Sequence, residues 1–172
     1  MSVKINRLTN ANVYVDGTNL LGRAEEVDAP KPMAIMSEHK TLGLNGKLEY
    51  PSGIDKMEMR IKWNAFYADV MPKFMNPWQA VKLMIRASQE TWEGGSRVGQ
   101  KSYVIYATAQ PKGIPLGNFK SQDNVEMESS LACTQVKMEI DGVEIFEFDA
   151  EANIYRVNGV DLMATYRANI GA

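Results

Sequence analysis

The sequence is poor in the residues on which catalytic and metal sites usually depend. Its 172 residues include one cysteine, Cys133, and one histidine, His39. One cysteine can form neither an intrachain disulfide nor a cysteine-based zinc site. The nucleophile-elbow pattern Gly-x-Ser-x-Gly and the glycine-rich loops that hold phosphates are also missing. These absences argue against an enzyme, and we expect no catalytic residues, no metal site and no cofactor.

The sequence also lacks long runs of one charge sign and long apolar runs. Basic residues number 19 and acidic residues 21, so the formal net charge is −2. Tight binding of nucleic acid needs a clustered basic surface, which this sequence does not offer. The longest apolar runs fall far short of the ~18–20 residues that span a bilayer. The first residues show no secretory signal, so we expect folding in a reducing cytoplasm.

The remaining reactive side chains have ordinary structural interpretations. Cys133 lies in a predicted strand, where a buried cysteine behaves as a small apolar residue. Glu126 and Glu128 share a strand face, as do Glu147 and Asp149, and each pair could in principle bind a metal or transfer protons. Such pairs are more often the solvated face of a half-buried strand, which is the interpretation we favour.

Turn chemistry is the strongest local signal. Four Asn-Gly or Asp-Gly pairs occur, at residues 16–17, 45–46, 141–142 and 158–159. Both central residues of a type I′ turn need positive φ, which these pairs tolerate best. The pairs at 16–17 and 141–142 lie between convincing strands and predict two β-hairpins.

Apolar residues alternate with polar ones over much of the chain, which is typical of half-buried strands. The alternating or β-branched segments are 56–63, 81–88, 103–109 and 125–140, the last being one bent strand or two. The pattern predicts a mainly β fold, a sandwich or barrel-like set of antiparallel sheets, in one domain over residues 1–172.

Two short helices complete the expected fold. The first covers about 69–76, where Asp69 would cap the helix and Pro72 would lie in its first turn. The second covers about 161–169 and ends at Gly171. Three of its apolar residues fall four apart on one face, which we expect to pack on the protein's own sheet: Leu162, Tyr166 and Ile170.

The segment from about 29 to 53 is predicted to be a long loop. It is rich in proline and glycine and shows no sustained periodicity, and loops of this length tend to be functional. It carries five apolar residues, Met33, Ile35, Met36, Leu42 and Leu44. They either fold back over their own core or contact a partner surface, and the sequence favours neither.

Both ends of the chain resemble a known family. The runs Val136–Asp149 and Ile154–Asp161 give a long strand, an Asp-Gly hairpin and an Asn-Gly-Val-Asp turn, and the chain closes with Arg-x-Asn-Ile-Gly. At the other end, Leu8–Gly17 gives a strand and hairpin, and Lys-x-x-Gly-Leu-Asn-Gly follows at 40–46. This ordered set resembles the major tail tube proteins of contractile-tailed phages and R-type pyocins.

The resemblance implies a structural protein of the virion with the phage tail tube fold. Tube proteins of this kind form hexameric rings, each subunit adding a sheet to a shared barrel, and the rings stack into a tube that conducts DNA through the host envelope. Besides other copies of itself, the implied partners are the tail sheath, the baseplate or initiator, the tape measure and the terminator proteins, with DNA in transit and no small-molecule ligand. Assembly in the bacterial host cytoplasm is also implied.

The resemblance gives two sets of residues a provisional role. The apolar residues of segment 29–53 become candidates for inter-subunit contact. The polar faces of the two middle strands become candidates for lining the channel, and they are mostly basic: Glu58, Arg60, Lys62, Lys82 and Arg86.

Two other functions remain open from the sequence. A β-sandwich of this size could be a carbohydrate-binding module that uses Trp63, Trp78 or Trp92 as stacking platforms. Trp63, however, lies in the apolar register of its strand. A related part of the same machine, such as a tail terminator or a secretion-tube subunit, would share the fold.

Overall fold

The computed structural model describes residues 2–171 of the chain. In that range the strands are β1 (Lys4–Val15), β2 (Thr18–Asn19), β3 (Ala24–Asp28), β4 (Ala34–His39), β5 (Leu48–Ile54), β6 (Met57–Trp63), β7 (Val81–Glu93), β8 (Ser96–Pro111), β9 (Met127–Ile140), β10 (Val143–Asp149), β11 (Ile154–Val157) and β12 (Val160–Asp161). A 3-10 helix covers Met71–Phe74, and the α-helix, α1, covers Ala164–Ile170. Within the described residues, neither helix has the length and hydrophobicity that a membrane span requires.

Most strands belong to one antiparallel sheet. Its order is β12-β11-β10-β9-β8-β7-β1-β2, and β6 joins it by pairing with β9 on one side and β3 on the other. Strands β4 and β5 pair only with each other and form a separate two-stranded sheet. The predicted fold class, mainly antiparallel β with one or two short helices, is confirmed.

Strand β9 is a single strand that pairs with two different strands along one edge. Residues 127–133 pair with β6, and residues 135–140 pair with β10 along the same edge. The register with β8, on the opposite edge, shifts at this junction, where residue 134 has no partner. Such a bulge bends the strand and increases its twist. Strands β6 and β10 therefore lie one after the other along the same edge of β9.

The core lies between β6 and the strands β1, β7, β8 and β9. Strand β6 follows the predicted alternation, because Met57, Met59, Ile61 and Trp63 are buried and the residues between them are exposed. These side chains share one apolar cluster with residues from β1 and β7 and with Phe74 of the 3-10 helix. The sheet therefore curls around a single core, with its polar faces outward.

Three of the four predicted turn pairs adopt the expected conformation. Both residues have positive φ at 16–17 (46° and 79°), 141–142 (54° and 78°) and 158–159 (49° and 78°), and each pair joins two antiparallel strands. The fourth pair, Asn45-Gly46, has positive φ at neither residue and lies inside the longer connection 40–47. That connection has its positive φ at Gly43, so its geometry differs from a two-residue turn.

The prediction of a continuous loop over 29–53 is wrong. Most of this segment forms the hairpin of β4 and β5, paired from Ala34 opposite Ile54 to His39 opposite Leu48. Neither strand alternates in burial, since every residue of β4 is exposed and β5 contains Pro51 and Gly53. A strand that packs on nothing has no reason to alternate, and this explains why the sequence pattern did not show it.

Both helices differ from prediction in detail. Asp69 does not cap the 3-10 helix but binds Arg23 at 2.6 Å, while Pro72 lies in the first turn as expected. Helix α1 ends at Gly171, which adopts the predicted left-handed conformation (φ 75°). The expected inward face of the helix is not buried: Leu162 (59% exposed) precedes the helix, and Tyr166 (48%) and Ile170 (54%) on the helix are also exposed.

Candidate functional site: the assembly surfaces

The side chains that could support catalysis lie apart from one another. His39 is exposed on β4 and contacts the ring of Tyr50. Cys133 lies in the core cluster, where burial raises the pKa of its thiol to about 11. Between residues 2 and 171 there is no group of three His, Cys, Asp or Glu side chains placed to hold a metal ion. The prominent features of the surface are instead apolar side chains and unpaired strand edges.

The five apolar residues singled out by sequence all lie on or beside the β4–β5 hairpin, and all are exposed. Their exposed fractions are 66% for Met33, 47% for Ile35, 49% for Met36, 105% for Leu42 and 57% for Leu44. We call β4, β5 and the connection 40–47 the hairpin arm. An isolated two-stranded hairpin is only marginally stable in water. The exposed apolar side chains of the hairpin arm form a surface that nothing in the monomer buries.

A second projection extends the main sheet beyond the core. It consists of the first half of β1 (residues 4–9), the second half of β7 (88–93) and the first part of β8 (96–102). The alternation of apolar residues predicted that β7 ends at residue 88 and that β8 begins at residue 103. The alternation stops at these residues because the core stops there. The turn pair Gly94-Gly95 was the available signal for this longer hairpin.

This projection has an open backbone edge on each side. Strand β1 pairs with β2 through Tyr14 and Val15, and the carbonyl of Val13 accepts a hydrogen bond from the Leu20 N–H (2.9 Å). In the described part of the chain, residues 4–12 therefore have no strand along their outer edge. Strand β8 begins to pair with β9 at Tyr103, and the carbonyl of Ser102 accepts a hydrogen bond from the Asp141 N–H, so residues 96–101 are also unpaired on that side. Open strand edges are templates for pairing with another chain.

The five predicted channel residues form two separate groups. Glu58, Arg60 and Lys62 lie on the outward face of β6 and are held in ion pairs within the chain. Glu58, for example, accepts hydrogen bonds from Lys112 and Lys56, which lower the pKa of its carboxyl to about 2. Lys62 pairs with Glu26 of β3.

The other two, Lys82 and Arg86, lie on the outward face of β7. Within residues 2–171 neither has an acidic side chain within ion-pair distance. Strands β9 and β8 separate β7 from β6, and both β6 and β7 direct their apolar faces into the same core. The outward faces of the two strands therefore belong to different walls, and the structure does not bring the five residues together.

The wall that carries Lys82 and Arg86 continues across β9 to β12 as a network of paired charges. Lys137 on β9 lies 2.7 Å from Glu139 and 3.7 Å from Glu144, and this acidic environment raises the pKa of the Lys137 ammonium. Further along, Arg156 binds Glu147, and Arg167 of α1 binds Asp161 at 2.6 Å. Each of these cations is paired, and the four carboxylates outnumber the three cations, so this part of the wall has a small excess of negative charge.

Exposed apolar surface and open strand edges are features of a subunit that assembles with other chains. The model of the phage tail tube protein FII family matches residues 5–171. The chain belongs to this family, which confirms the resemblance of its terminal motifs.

A curated relative is consistent with this placement, and two solved structures share the fold. The tail tube protein of Escherichia phage P2 is 27% identical over 169 residues, which is 96% of each chain. The fold resembles a chain of the sheath–tube complex of an extracellular contractile injection system in its extended state (TM-score 0.57, 12% identity, 75% of this chain and 87% of that chain). It also resembles a chain of that system's sheath/tube terminator (TM-score 0.55, 14% identity, 75% and 92%).

The tryptophans fit a stacking site for sugars poorly. Trp63 is 1% exposed and lies in the core, so it offers no platform. Trp92 is half-buried and donates its indole N–H to Glu90, whereas Trp78 is 90% exposed. A single exposed ring does not form a groove.

Proposed function

We propose that this chain forms hexameric rings that stack into the inner tube of a contractile tail, and that the tube conducts DNA through the host envelope. The observation that carries the proposal is the pair of open edges, β1 residues 4–12 and β8 residues 96–101, on opposite sides of the sheet. Membership of the tail tube family supports a tube as the product of assembly.

Ring closure would join these two edges between neighbouring subunits. Rotation about a ring axis keeps the direction of every strand along that axis, and β1 and β8 run in the same direction because both are antiparallel to β7. The edge of β8 would therefore meet the neighbour's β1 in a parallel pairing. A closed ring of such contacts removes every open edge of this kind, as a barrel does.

The channel wall follows from the same arrangement. The sheet that continues into the neighbours has its inward face occupied by the core, so its outward face would line the channel. That face carries Lys82 and Arg86. Glu58, Arg60 and Lys62 belong to the other wall and would lie away from the channel. Lys82 and Arg86 would be the unpaired cations of this wall, whereas the carboxylates of β9–β12 outnumber the cations there and would oppose retention of passing DNA.

The remaining partners follow from the position of such a tube in a virion. The sheath would surround it, a baseplate or initiator protein would start it, a tape measure protein would occupy it before ejection, and a terminator would close it. Assembly would take place in the cytoplasm of the bacterial host. No small-molecule ligand is part of the proposal.

Electron microscopy of the purified protein at rising concentration tests the proposal directly. We expect rings and then tubes with a central hole and six subunits in projection. A tube terminator is the second candidate, since the fold also resembles a terminator chain. A terminator would give single rings that never lengthen, and a protein that stays monomeric at every concentration, even with preformed tube ends, would contradict both functions.

Substitution of Gln100 by proline should weaken ring closure. The carbonyl of Ser102 accepts a hydrogen bond from the Asp141 N–H (2.8 Å), so it points away from β7, and alternation directs the N–H of Gln100 to the same open edge. Proline removes that N–H without breaking the β7–β8 ladder. Because a net hydrogen bond contributes about 1 kcal/mol to each interface, we expect the assembly concentration to rise roughly fivefold.

Gln100→Ala is the matched control, because alanine shortens the side chain but keeps the backbone N–H. It should assemble at nearly the wild-type concentration, and circular dichroism should show the same strand content in both variants. If Gln100→Pro assembles as readily as Gln100→Ala, the edge of β8 is not part of the ring contact.

A further inference from the structure

The chain contains two Asn-Gly pairs, and the structure gives them different backbones. We call Asn45-Gly46 the tip pair, since it lies in the connection between β4 and β5, and Asn158-Gly159 the turn pair, since it joins β11 to β12. Both asparagines are exposed to solvent. The side-chain amide of an asparagine before glycine is open to attack, because glycine has no side chain to shield its backbone nitrogen. Which of the two pairs reacts therefore depends on the backbone.

The turn pair is held in one conformation. Asn158 and Gly159 have φ of 49° and 78°, both left-handed, and Val157 pairs with Val160 across the turn. The N–H of Asn158 also donates to the carbonyl of Ile145 at 2.9 Å. Attack on the amide requires rotation about the Cα–C bond of the asparagine, and this rotation would break the turn and its pairing.

The tip pair lacks these constraints. Neither Asn45 nor Gly46 has a positive φ, and in the described chain neither takes part in a backbone hydrogen bond. A Cβ added at Gly46 would meet nothing within 4 Å. Glycine at this position is thus required neither by backbone conformation nor by close packing. What it does provide is access of its nitrogen to the amide of Asn45.

We propose that Asn45-Gly46 is a site of spontaneous deamidation, and that the reaction limits how long an unassembled subunit remains able to form tubes. The backbone nitrogen of Gly46 bonds to Cγ of Asn45, and the side-chain nitrogen leaves as ammonia with the proton of the attacking nitrogen. Water then opens the resulting cyclic imide at either carbonyl, which gives aspartate or isoaspartate. Water is the co-reactant, and neither an oxidant nor a reductant is needed.

The product changes the charge of the hairpin tip. Residues 38–49 contain two lysines and two glutamates, so their net charge is zero. Lys40 and Lys47 both lie within ion-pair distance of Glu38 (3.5 Å and 2.7 Å), and Glu49 balances the remaining positive charge. A carboxylate at position 45 is therefore an excess charge beside the exposed leucines of the tip, and its burial against another subunit is costly. This effect on assembly rests on the proposed function, whereas the reaction does not.

Ageing of the purified monomer, kept below the assembly concentration, tests the reaction. Trypsin releases the tip pair in peptide 41–47 and the turn pair in peptide 157–167, and chromatography with mass spectrometry measures aspartate and isoaspartate in each. We expect the turn pair to react at least about tenfold more slowly, which corresponds to a barrier higher by about 1.4 kcal/mol. In a chain unfolded by urea the turn is lost, and both pairs should react at similar rates.

Gly46→Ala is the matched variant for the reaction. Alanine fits position 46 without strain, because φ is not positive and the space around it is open, but its methyl group hinders approach of the backbone nitrogen to the amide. This variant should keep Asn45 intact during ageing and then assemble like the fresh wild type. Asn45→Asp introduces the charge of the product into a fresh chain and should raise the assembly concentration at least about fivefold.

Three results would overturn the proposal. If peptide 41–47 stays unmodified, or if the turn pair reacts as fast as the tip pair in the folded chain, the backbone does not select the site. If Asn45→Asp assembles at the wild-type concentration, the reaction does not limit assembly. A fresh wild type that forms neither rings nor tubes would instead refute the proposed function, and the rates measured on the peptides would still decide whether the tip pair is the reactive site.

Discussion

Replacement of residues 40–48 by two glycines is expected to abolish tube growth and to leave the rest of the chain folded. The rest of the chain should stay folded because the hairpin arm shares neither core residues nor strand pairing with it. The buried core contains no residue between 30 and 56, and β4 and β5 pair only with each other. The shortened arm therefore removes exposed apolar surface without creating a cavity. Sedimentation should show a monomer or single ring at concentrations at which the wild type forms tubes.

Two further variants test whether the apolar side chains of the hairpin arm, and not its length, are needed for tube growth. Leu42→Ser with Leu44→Ser keeps the connection but removes its apolar groups, and it should fail to form tubes as the shortened chain does. Thr41→Ala with Asn45→Ala changes two exposed polar residues of the same connection and should assemble normally. Tubes from the shortened chain would show that the hairpin arm is not the contact between rings.

The sequence predicted the elements that the chain's own core determines. The strict alternation at 57–63 exists because β6 packs one face on the core and exposes the other. The Asp-Gly and Asn-Gly turns at 16–17, 141–142 and 158–159 depend on local backbone preference alone and form as expected. Where burial or turn geometry is decided within the chain, the pattern of residue types was sufficient.

The elements that the sequence missed are those whose partners lie outside the chain. The hairpin arm shows no alternation because neither of its faces packs on the core. Tyr166 and Ile170, four residues apart on α1, have the spacing of a buried helix face, yet both are exposed. The spacing of apolar residues predicts that a face is buried but not which surface buries it. Both errors therefore lie on surfaces that the monomer leaves uncovered.

The largest expected loss of stability follows from Trp63→Ala. Trp63 is 1% exposed, and its ring packs edge-on against Phe74 at 5.1 Å between centroids. Truncation of a buried tryptophan costs about 3–5 kcal/mol, a large share of the roughly 5–15 kcal/mol by which domains are stable. Urea unfolding, followed by circular dichroism below the assembly concentration, measures the change. Trp78→Ala is the control: Trp78 is 90% exposed, so its truncation should alter the free energy of unfolding by less than about 0.5 kcal/mol.

Part of what Trp63 contributes to the free energy of unfolding comes from one buried hydrogen bond. Its indole N–H donates to the hydroxyl of Ser129 at 2.9 Å, and Ser129 has no exposed surface. Trp63→Phe leaves that hydroxyl without its donor, and Ser129→Ala leaves the indole N–H without its acceptor, so each change should add about 1–3 kcal/mol of desolvation cost. The double variant removes both polar groups, and its loss should be smaller than the sum of the single losses by about 1 kcal/mol or more. Strictly additive losses would mean that the hydrogen bond contributes nothing and that Trp63 stabilises the core through packing alone.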